Sequence, residues 1–560
     1  MLKKWWKEGV VYQIYPRSFK DSNNDGIGDI RGIIEKIDYL KDLGVSILWL
    51  NPVYKSPNDD NGYDISDYQD IMDEFGTMND WQELLDKLHQ NDIKMIMDLV
   101  VNHTSDEHRW FEESRKSKNN PYRDYYIWRP GKNGGPPNNW KSVFGGSAWE
   151  YDERTGEYYL HLFTRKQPDL NWENPELRKE IYKMMNWWLD KGIDGFRMDV
   201  INMISKPQNL MDLPDASLDG YTANLSAITN GPRVHEFIQE MCRETVSRYD
   251  VMTVGETPGT SLEQALDYVD QDRSELNMVI QFEHVEIDYG PQGRFSVGEW
   301  SLTQFKDIFT RWQNKLHNKG WNCIYLMNHD QSRSLSRYAD DKPEFREPAA
   351  KMLATFLLSL EGTPFIYQGE EIGMTNVAFN SIEDYKDIET LNYYKEAKAR
   401  NINEQEIMKN IHFRSRDNSR TPIQWDNSKN AGFSEKKPWI RVNPNYKEIN
   451  VADTLNNKDS IFYYYKKMIK LRKETPVLIY GEYRLLDQFN EDVYSYKRIL
   501  EDEKALFILN FKDKNVEFAS PLKIQPLKSK LLISNYTVDT ENIPERMILK
   551  PFEARVYLYS

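Results

Sequence analysis

Eight short apolar runs recur through the first two thirds of the chain: Val10–Tyr15, Val45–Leu50, Ile93–Val101, Asp194–Val200, Asp250–Glu256, Asn277–Phe282, Cys323–Asp330 and Thr363–Tyr367. Stretches with helical spacing stand before most of them, at 30–43, 79–90, 176–191, 233–248, 302–317 and 347–360. The first shows the pattern, with Ile33, Ile34, Ile37, Leu40 and Leu43 on one face and Gly44 as a cap. Strand and helix alternating at short spacing specify parallel βα units. Eight strands with intervening helices predict an α/β fold, the (β/α)8 or TIM barrel, whose catalytic groups stand at the C-terminal strand ends.

Three of the runs carry an acid at or next to their last position: Asp199, Glu256 and Asp330. Side chains alternate along a strand, so Arg197 and Asp199 share a face and Met198 points the other way. A guanidinium beside an aspartate favours its ionised form, which suits a carboxylate nucleophile. Taken alone, that pair reads equally well as a structural ion pair. Three acidic strand ends in one barrel suggest a single assembled site.

The rest of the chain punctuates this rhythm. Residues 104–173, rich in Trp, Tyr, Gly, Pro and Asn, are too long and too aromatic for a simple loop and predict a loop-rich subdomain inserted after strand three. A polar insertion follows Gly373 to about residue 450, then an amphipathic helix at 458–474. From about 479 to 560 short alternating segments predict an antiparallel β-sandwich. The expected division is therefore 1–103 with 174–478 as catalytic barrel, 104–173 as the insertion, and 479–560 as the C-terminal sandwich.

Composition narrows the partners. The net charge of −15 argues against nucleic acid and anionic membrane. Aromatics make up 13% of the chain, which suits either a large core or platforms for the apolar faces of sugars. The two cysteines, Cys242 and Cys323, lie far apart in apolar settings and are expected as free thiols in a reducing compartment. No apolar run approaches the ~20 residues of a membrane span and the N-terminus lacks a signal-peptide core, so a cytoplasmic location is expected.

Asp21-Ser-Asn23-Asn-Asp25-Gly26-Ile27-Gly28-Asp29 places oxygen-bearing side chains at every second position, with a glycine for a sharp turn. This is the first half of a calcium loop in its spacing. Position twelve is Gly32 instead of Glu, so it is no EF-hand, and an Asx-rich turn is the alternative.

Four motifs in order, Asp98-Leu-Val-Val-Asn-His103, Gly195-Phe-Arg-Met-Asp199, Val254-Gly-Glu256 and Met327-Asn-His-Asp330, resemble those of the α-amylase-type glycoside hydrolases of family 13. Within it the chain is most similar to the oligo-1,6-glucosidases, through Gln13–Phe19, Gly369–Gly373 and Arg416–Pro422 as well. The resemblance implies a retaining hydrolase with Asp199 as nucleophile, Glu256 as general acid/base and Asp330 as transition-state stabiliser. It implies that Arg197, His103 and His329 serve the same pocket, that Tyr63 stacks on the sugar ring, and that Asp60 and Arg416 close the pocket for exo action. Phe144, Phe163 and Gln167 are implied as pocket walls. Val200 followed by Ile-Asn resembles the α-1,6-preferring members. The resemblance also makes Asp21, Asn23, Asp25, the Ile27 carbonyl and Asp29 the ligands of a structural Ca2+, with no organic cofactor, an oligosaccharide substrate and a monomeric state. Trehalose-6-phosphate hydrolases and α-1,4-glucosidases are the near alternatives. A non-catalytic sugar-binding relative is the distant one.

Overall fold

The computed structural model describes residues 3–214, 221–222, 224–291, 293–520, 522, 529–538 and 542–560. The eight expected strands are β1 (Val11–Ile14), β2 (Ile47–Leu50), β3 (Lys94–Val100), β4 (Gly195–Asp199), β5 (Met252–Glu256), β6 (Met278–Ile280), β7 (Cys323–Ile324) and β8 (Thr363–Tyr367). All pair in parallel, in the order β6-β5-β4-β3-β2-β1-β8-β7. A parallel bridge from Val279 to Asn322 joins the two ends, so the sheet closes as a (β/α)8 barrel.

Helices α1 (Ile37–Leu43), α2 (Met78–Gln90), α3 (Pro175–Asp190), α4 (Val234–Glu244), α5 (Leu262–Val269), α6 (Leu302–Leu316) and α7 (Pro343–Ser359) precede β2 to β8 in turn. Their starts are chemically marked. Thr77 and Ser301 form capping boxes, and Pro175 occupies the first turn of α3 behind Asn174. The expected helix at 30–43 is in fact two, Ile30–Ile34 and α1, because the chain leaves helical geometry at Lys36. Helix α5 went unread in the sequence because it spans only eight residues.

Strand alternation divides the core. Val11, Ile47, Trp49, Ile96, Met252, Val254 and Phe365 pack together in one cluster. Their strand neighbours Tyr12, Leu48, Met97, Phe196 and Met198 belong to the cluster that includes the surrounding helices. The first set fills the barrel and the second backs it.

Within 104–173, Trp128–Arg129, Trp149–Asp152 and Glu157–Leu160 form a three-stranded antiparallel sheet. Lys206, fully buried, ties this segment to the barrel by pairing with Asp169 and donating to Asn102, both at 2.7 Å. The insertion after β8 is more ordered than its polarity suggested, with helices α8 (Ile388–Ala399), Glu404–Arg414 and α9 (Asp417–Arg420). Helix α10 (Ile461–Glu474) then leads to a five-stranded antiparallel sheet faced by a two-stranded one, with Leu506, Ile508, Phe518, Leu549 and Tyr557 between them. Cys242 and Cys323 are both buried and unpaired. Among the described residues no helix is long and apolar enough to cross a membrane.

Candidate active site

The alternation that fills the barrel with Val254 and Ile96 lower down delivers Asp98, Arg197, Asp199 and Glu256 to its upper end. Register fixes the neighbours, since Arg197 lies opposite Asp98 on β3 and opposite Val254 on β5. Gly195 is obligatory beneath them: a Cβ there would sit 1.9 Å from the Met252 carbonyl oxygen, and its φ is +143°.

Arg197 is completely buried and shared by three carboxylates. Its Nη1 lies 2.5 Å from Asp98 Oδ1 and 2.7 Å from Asp199 Oδ1, and its Nη2 lies 2.8 Å from Glu256 Oε1. The other Glu256 oxygen accepts the Val200 N–H at 3.2 Å. That contact uses an unusual backbone, with Val200 in the left-handed region at φ +34°, which is an outlier for a β-branched residue. Strain of this kind persists where surrounding structure enforces it and clusters at functional sites.

Three acids on one cation cannot all be comfortably ionised away from water. Burial pushes the Asp199 carboxyl well above the ordinary range, Arg197 pulls against it, and Glu256 and Asp98 push it further up. The expectation that Arg197 alone would keep Asp199 low is therefore corrected: its attraction is divided and burial outweighs it. Asp98 is likewise raised by burial against the pull of Arg197, to about 6.

Above this floor lies a cavity of about 490 Å³ lined by Asp199, Glu256, Asp330, Asp60, Tyr63 and His103 with Phe144, Phe163, Val200 and Arg416. Asp330 does not end a strand, as β7 stops at Ile324; it stands on the loop beyond, six residues further on. Burial raises its carboxyl, but His329, Arg416 and Arg420 outweigh that and hold it well below the usual range. Arg420 donates to it at 2.6 Å and Arg416 at 3.3 Å. Arg416 also reaches Asp60 at 3.4 Å, and these two seal one end of the cavity. Burial pushes Asp60 up to about 7 despite Arg416.

Tyr63 presents one face to the cavity and stacks the other on His329, with ring centroids 5.3 Å apart and planes 7° from parallel. His329, Arg197 and Gln167 lie one layer behind the cavity surface. The His329 Nδ1 meets Gln13 Nε2 at 2.9 Å, and Gln167 Nε2 lies 3.2 Å from both Asp60 Oδ2 and His103 Nε2. Burial lowers His103 to about 4 and His329 to about 3, so both rings are neutral near pH 7. Phe144 is a cavity wall with Arg416 stacked 5.0 Å from its ring centre, and Phe163 packs on both Phe144 and His103.

Sequence reading missed several lining residues, among them Met203, Tyr289, Arg294, Gln331 and Glu389. They come from short elements and connections that carry no strand or helix periodicity of the barrel, such as the Tyr289–Gly290 and Gly293–Val297 hairpin and the first turn of α8, and no motif flags them. Asp98 could have been found, because it opens a quoted motif on the same strand face as Ile96.

In the Asp21–Asp29 loop, each acceptor caps the amide two residues ahead: Asp21 Oδ1 takes the Asn23 N–H, Asn23 Oδ1 takes that of Asp25, and Asp25 Oδ1 takes that of Ile27. Asp29 is committed elsewhere, capping the Ile30–Ile34 helix at Gly32 and holding Ser22. Among the described residues no three His, Cys, Asp or Glu side chains converge to hold a metal ion. A cation here would rely on the mixed set of carboxylate, amide and carbonyl oxygens.

The catalytic-domain profile of the alpha-amylase family matches residues 13–481. The chain belongs to that family. It is 61% identical over 558 residues to an oligo-1,6-glucosidase of Parageobacillus thermoglucosidasius, covering 100% of this chain and 99% of the relative. The oligo-1,6-glucosidase of Bacillus cereus is 56% identical over 559 residues and is covered completely, as is this chain. Among solved structures, trehalose-6-phosphate hydrolase of Bacillus licheniformis superposes with a TM-score of 0.95 at 50% identity, covering all of both chains.

Proposed function

We propose that the protein is a retaining exo-α-glucosidase that hydrolyses α-1,6-glucosidic bonds at the non-reducing end of isomaltose, isomalto-oligosaccharides and panose. The observation that carries this is the pairing of Asp199 and Glu256 on one buried guanidinium at the floor of a cavity whose end is sealed by Asp60 and Arg416. A blind pocket takes a chain terminus and not its middle. The names of the relatives at 61% and 56% identity support the linkage.

In this reading Asp199 attacks the anomeric carbon while Glu256 protonates the leaving glycosidic oxygen, and Glu256 then deprotonates the water that resolves the glycosyl-enzyme. The two share Arg197. The reaction requires charge on Asp199 and the proton on Glu256. Asp330, held ionised, faces the positive charge that develops on the sugar ring in the oxocarbenium-like transition state. Tyr63 packs on the ring, and His103 offers a neutral donor or acceptor to its hydroxyls. Val200, lining the cavity beside the nucleophile, presents methyl groups to the second sugar and is the residue we assign to linkage preference.

The trehalose-6-phosphate reading rests on the 50% identical structure. Against it, the cations lining the described cavity, Arg294 and Arg416, are already engaged with Glu389 at 3.1 Å and with Asp60 at 3.4 Å, which leaves neither free for a phosphate. Glucose release from isomaltose, maltose, sucrose, trehalose and trehalose 6-phosphate, measured separately, tests the assignment. Fast release from isomaltose supports it. Release mainly from trehalose 6-phosphate or from maltose moves the specificity to the relatives that use those substrates, and silence on all five overturns the enzymatic reading.

A Ca2+ held by Asp21, Asn23, Asp25 and the Ile27 carbonyl, with Asp29 organising the loop from behind, is proposed as a stabilising ion. A monomer working in the cytoplasm completes the proposal; the two buried free thiols favour a reducing compartment.

A further inference from the structure

Asp387 lies outside the cavity lining and outside every motif, yet both arginines that grip the pocket acids converge on it. It is fully buried at the start of α8, where it caps the helix through the N–H of Thr390 at 3.1 Å and that of Glu389 at 3.3 Å. Its Oδ1 simultaneously accepts Arg416 Nε at 2.8 Å and lies 2.6 Å from Arg416 Nη2. Arg420 Nη1, buried and without a hydrogen bond of its own, stands 3.8 Å from the same oxygen. Arg416 then has its outer edge left for Asp60 and Asp330, at 3.4 and 3.3 Å.

The geometry is that of a hinge pin. Arg416 and Arg420 are one helical turn apart on the segment around α9, and both guanidiniums are buried, so they repel each other at close range. A carboxylate on the side remote from the sugar holds them together and fixes the direction in which Arg416 points. We propose that Asp387 is a positioning residue for the sealed end of the sugar pocket, acting through Arg416 and not on the substrate. The proposal rests on the exo-glucosidase reading, because only a sealed pocket needs that direction held.

The test uses the fact that Asn caps a helix as well as Asp does. Asp387→Asn keeps the start of α8 and removes only the ionic hold on the arginines. In the full-length protein, kcat/KM on p-nitrophenyl α-glucoside is expected to fall about tenfold or more, chiefly through KM, with the melting temperature little changed. Arg416→Ala should lose more, and in the double variant Asp387→Asn should add nothing within about twofold, because its effect passes through Arg416. Independent, multiplying losses in the double variant would overturn the proposal, as would an Asp387→Asn protein with wild-type kcat/KM. If the Asn protein is unstable, Asp387→Ser, which also caps, is put through the same cycle with the same criteria. Wild-type activity on the α-glucoside is measured first, so failure of the exo-glucosidase reading shows separately as its absence.

Discussion

Asp60 offers a quantitative check on how the pocket's charges are arranged. Burial raises its carboxyl from 3.8 to about 7 in the folded protein, against the pull of Arg416. In the unfolded chain it titrates at its ordinary value, so between the two values the folded state holds a proton that the unfolded state has released. Stability contributed by such a group is present at low pH and is lost as pH rises toward the folded value. Across pH 5 to 7 the loss is two pH units at 1.36 kcal/mol each, about 2.7 kcal/mol, and it is complete above 7. Unfolding entropy of about 2.1 cal/mol/K per residue over 560 residues makes that about 2 °C in melting temperature. Asp60→Asn cannot titrate and so escapes the loss. Calorimetric melting of wild type and Asp60→Asn at pH 5 and pH 8 should show the variant gaining about 2 °C on the wild type between the two conditions, whatever their offset at pH 5. A difference that stays constant, or moves in favour of the wild type at pH 8, would mean that Arg416 dominates the Asp60 environment and that the electrostatic account of the sealed end is wrong.

Other outcomes follow from the same structure. Asp199→Asn and Glu256→Gln should each cut kcat by about 10²–10⁴ or more in single-turnover assays, while binding of glucose, followed by calorimetry, survives. Val200→Thr should shift the isomaltose-to-maltose ratio of kcat/KM toward maltose by about tenfold, since a hydroxyl exchanged for a methyl against the second sugar is worth about 1–3 kcal/mol; an unchanged ratio places the determinant elsewhere. Lys206→Met strands the buried Asp169 carboxylate and should cost about 3–5 kcal/mol in denaturant unfolding. Chelation with EDTA should lower the melting temperature and leave kcat at 25 °C within about twofold, because the Asp21–Asp29 loop supplies no reacting group; loss of chemistry without a change in melting would refute a purely structural ion.

The sequence by itself determined the barrel and its acids. Period-two alternation on eight apolar runs dictates which residues enter the barrel, and Arg197, Asp199 and Glu256 occupy inner-face positions because Phe196, Met198 and Gly255 occupy the others. These are consequences of local geometry, so they can be read along the chain. Tertiary structure decided how the charges behave. Asp98 and Glu256 draw on the same guanidinium as Asp199 only because strands 3, 4 and 5 are neighbours in the closed sheet, and burial together with that sharing raises the Asp199 carboxyl where the Arg197–Asp199 spacing alone predicts a lowered one. The loop position of Asp330, the retreat of His329 behind Tyr63, and the convergence of Arg416 and Arg420 on Asp387 likewise depend on segments 29 to 356 residues apart meeting in space. Desolvation and Coulomb forces act through distance in three dimensions, and spacing along a chain does not encode them.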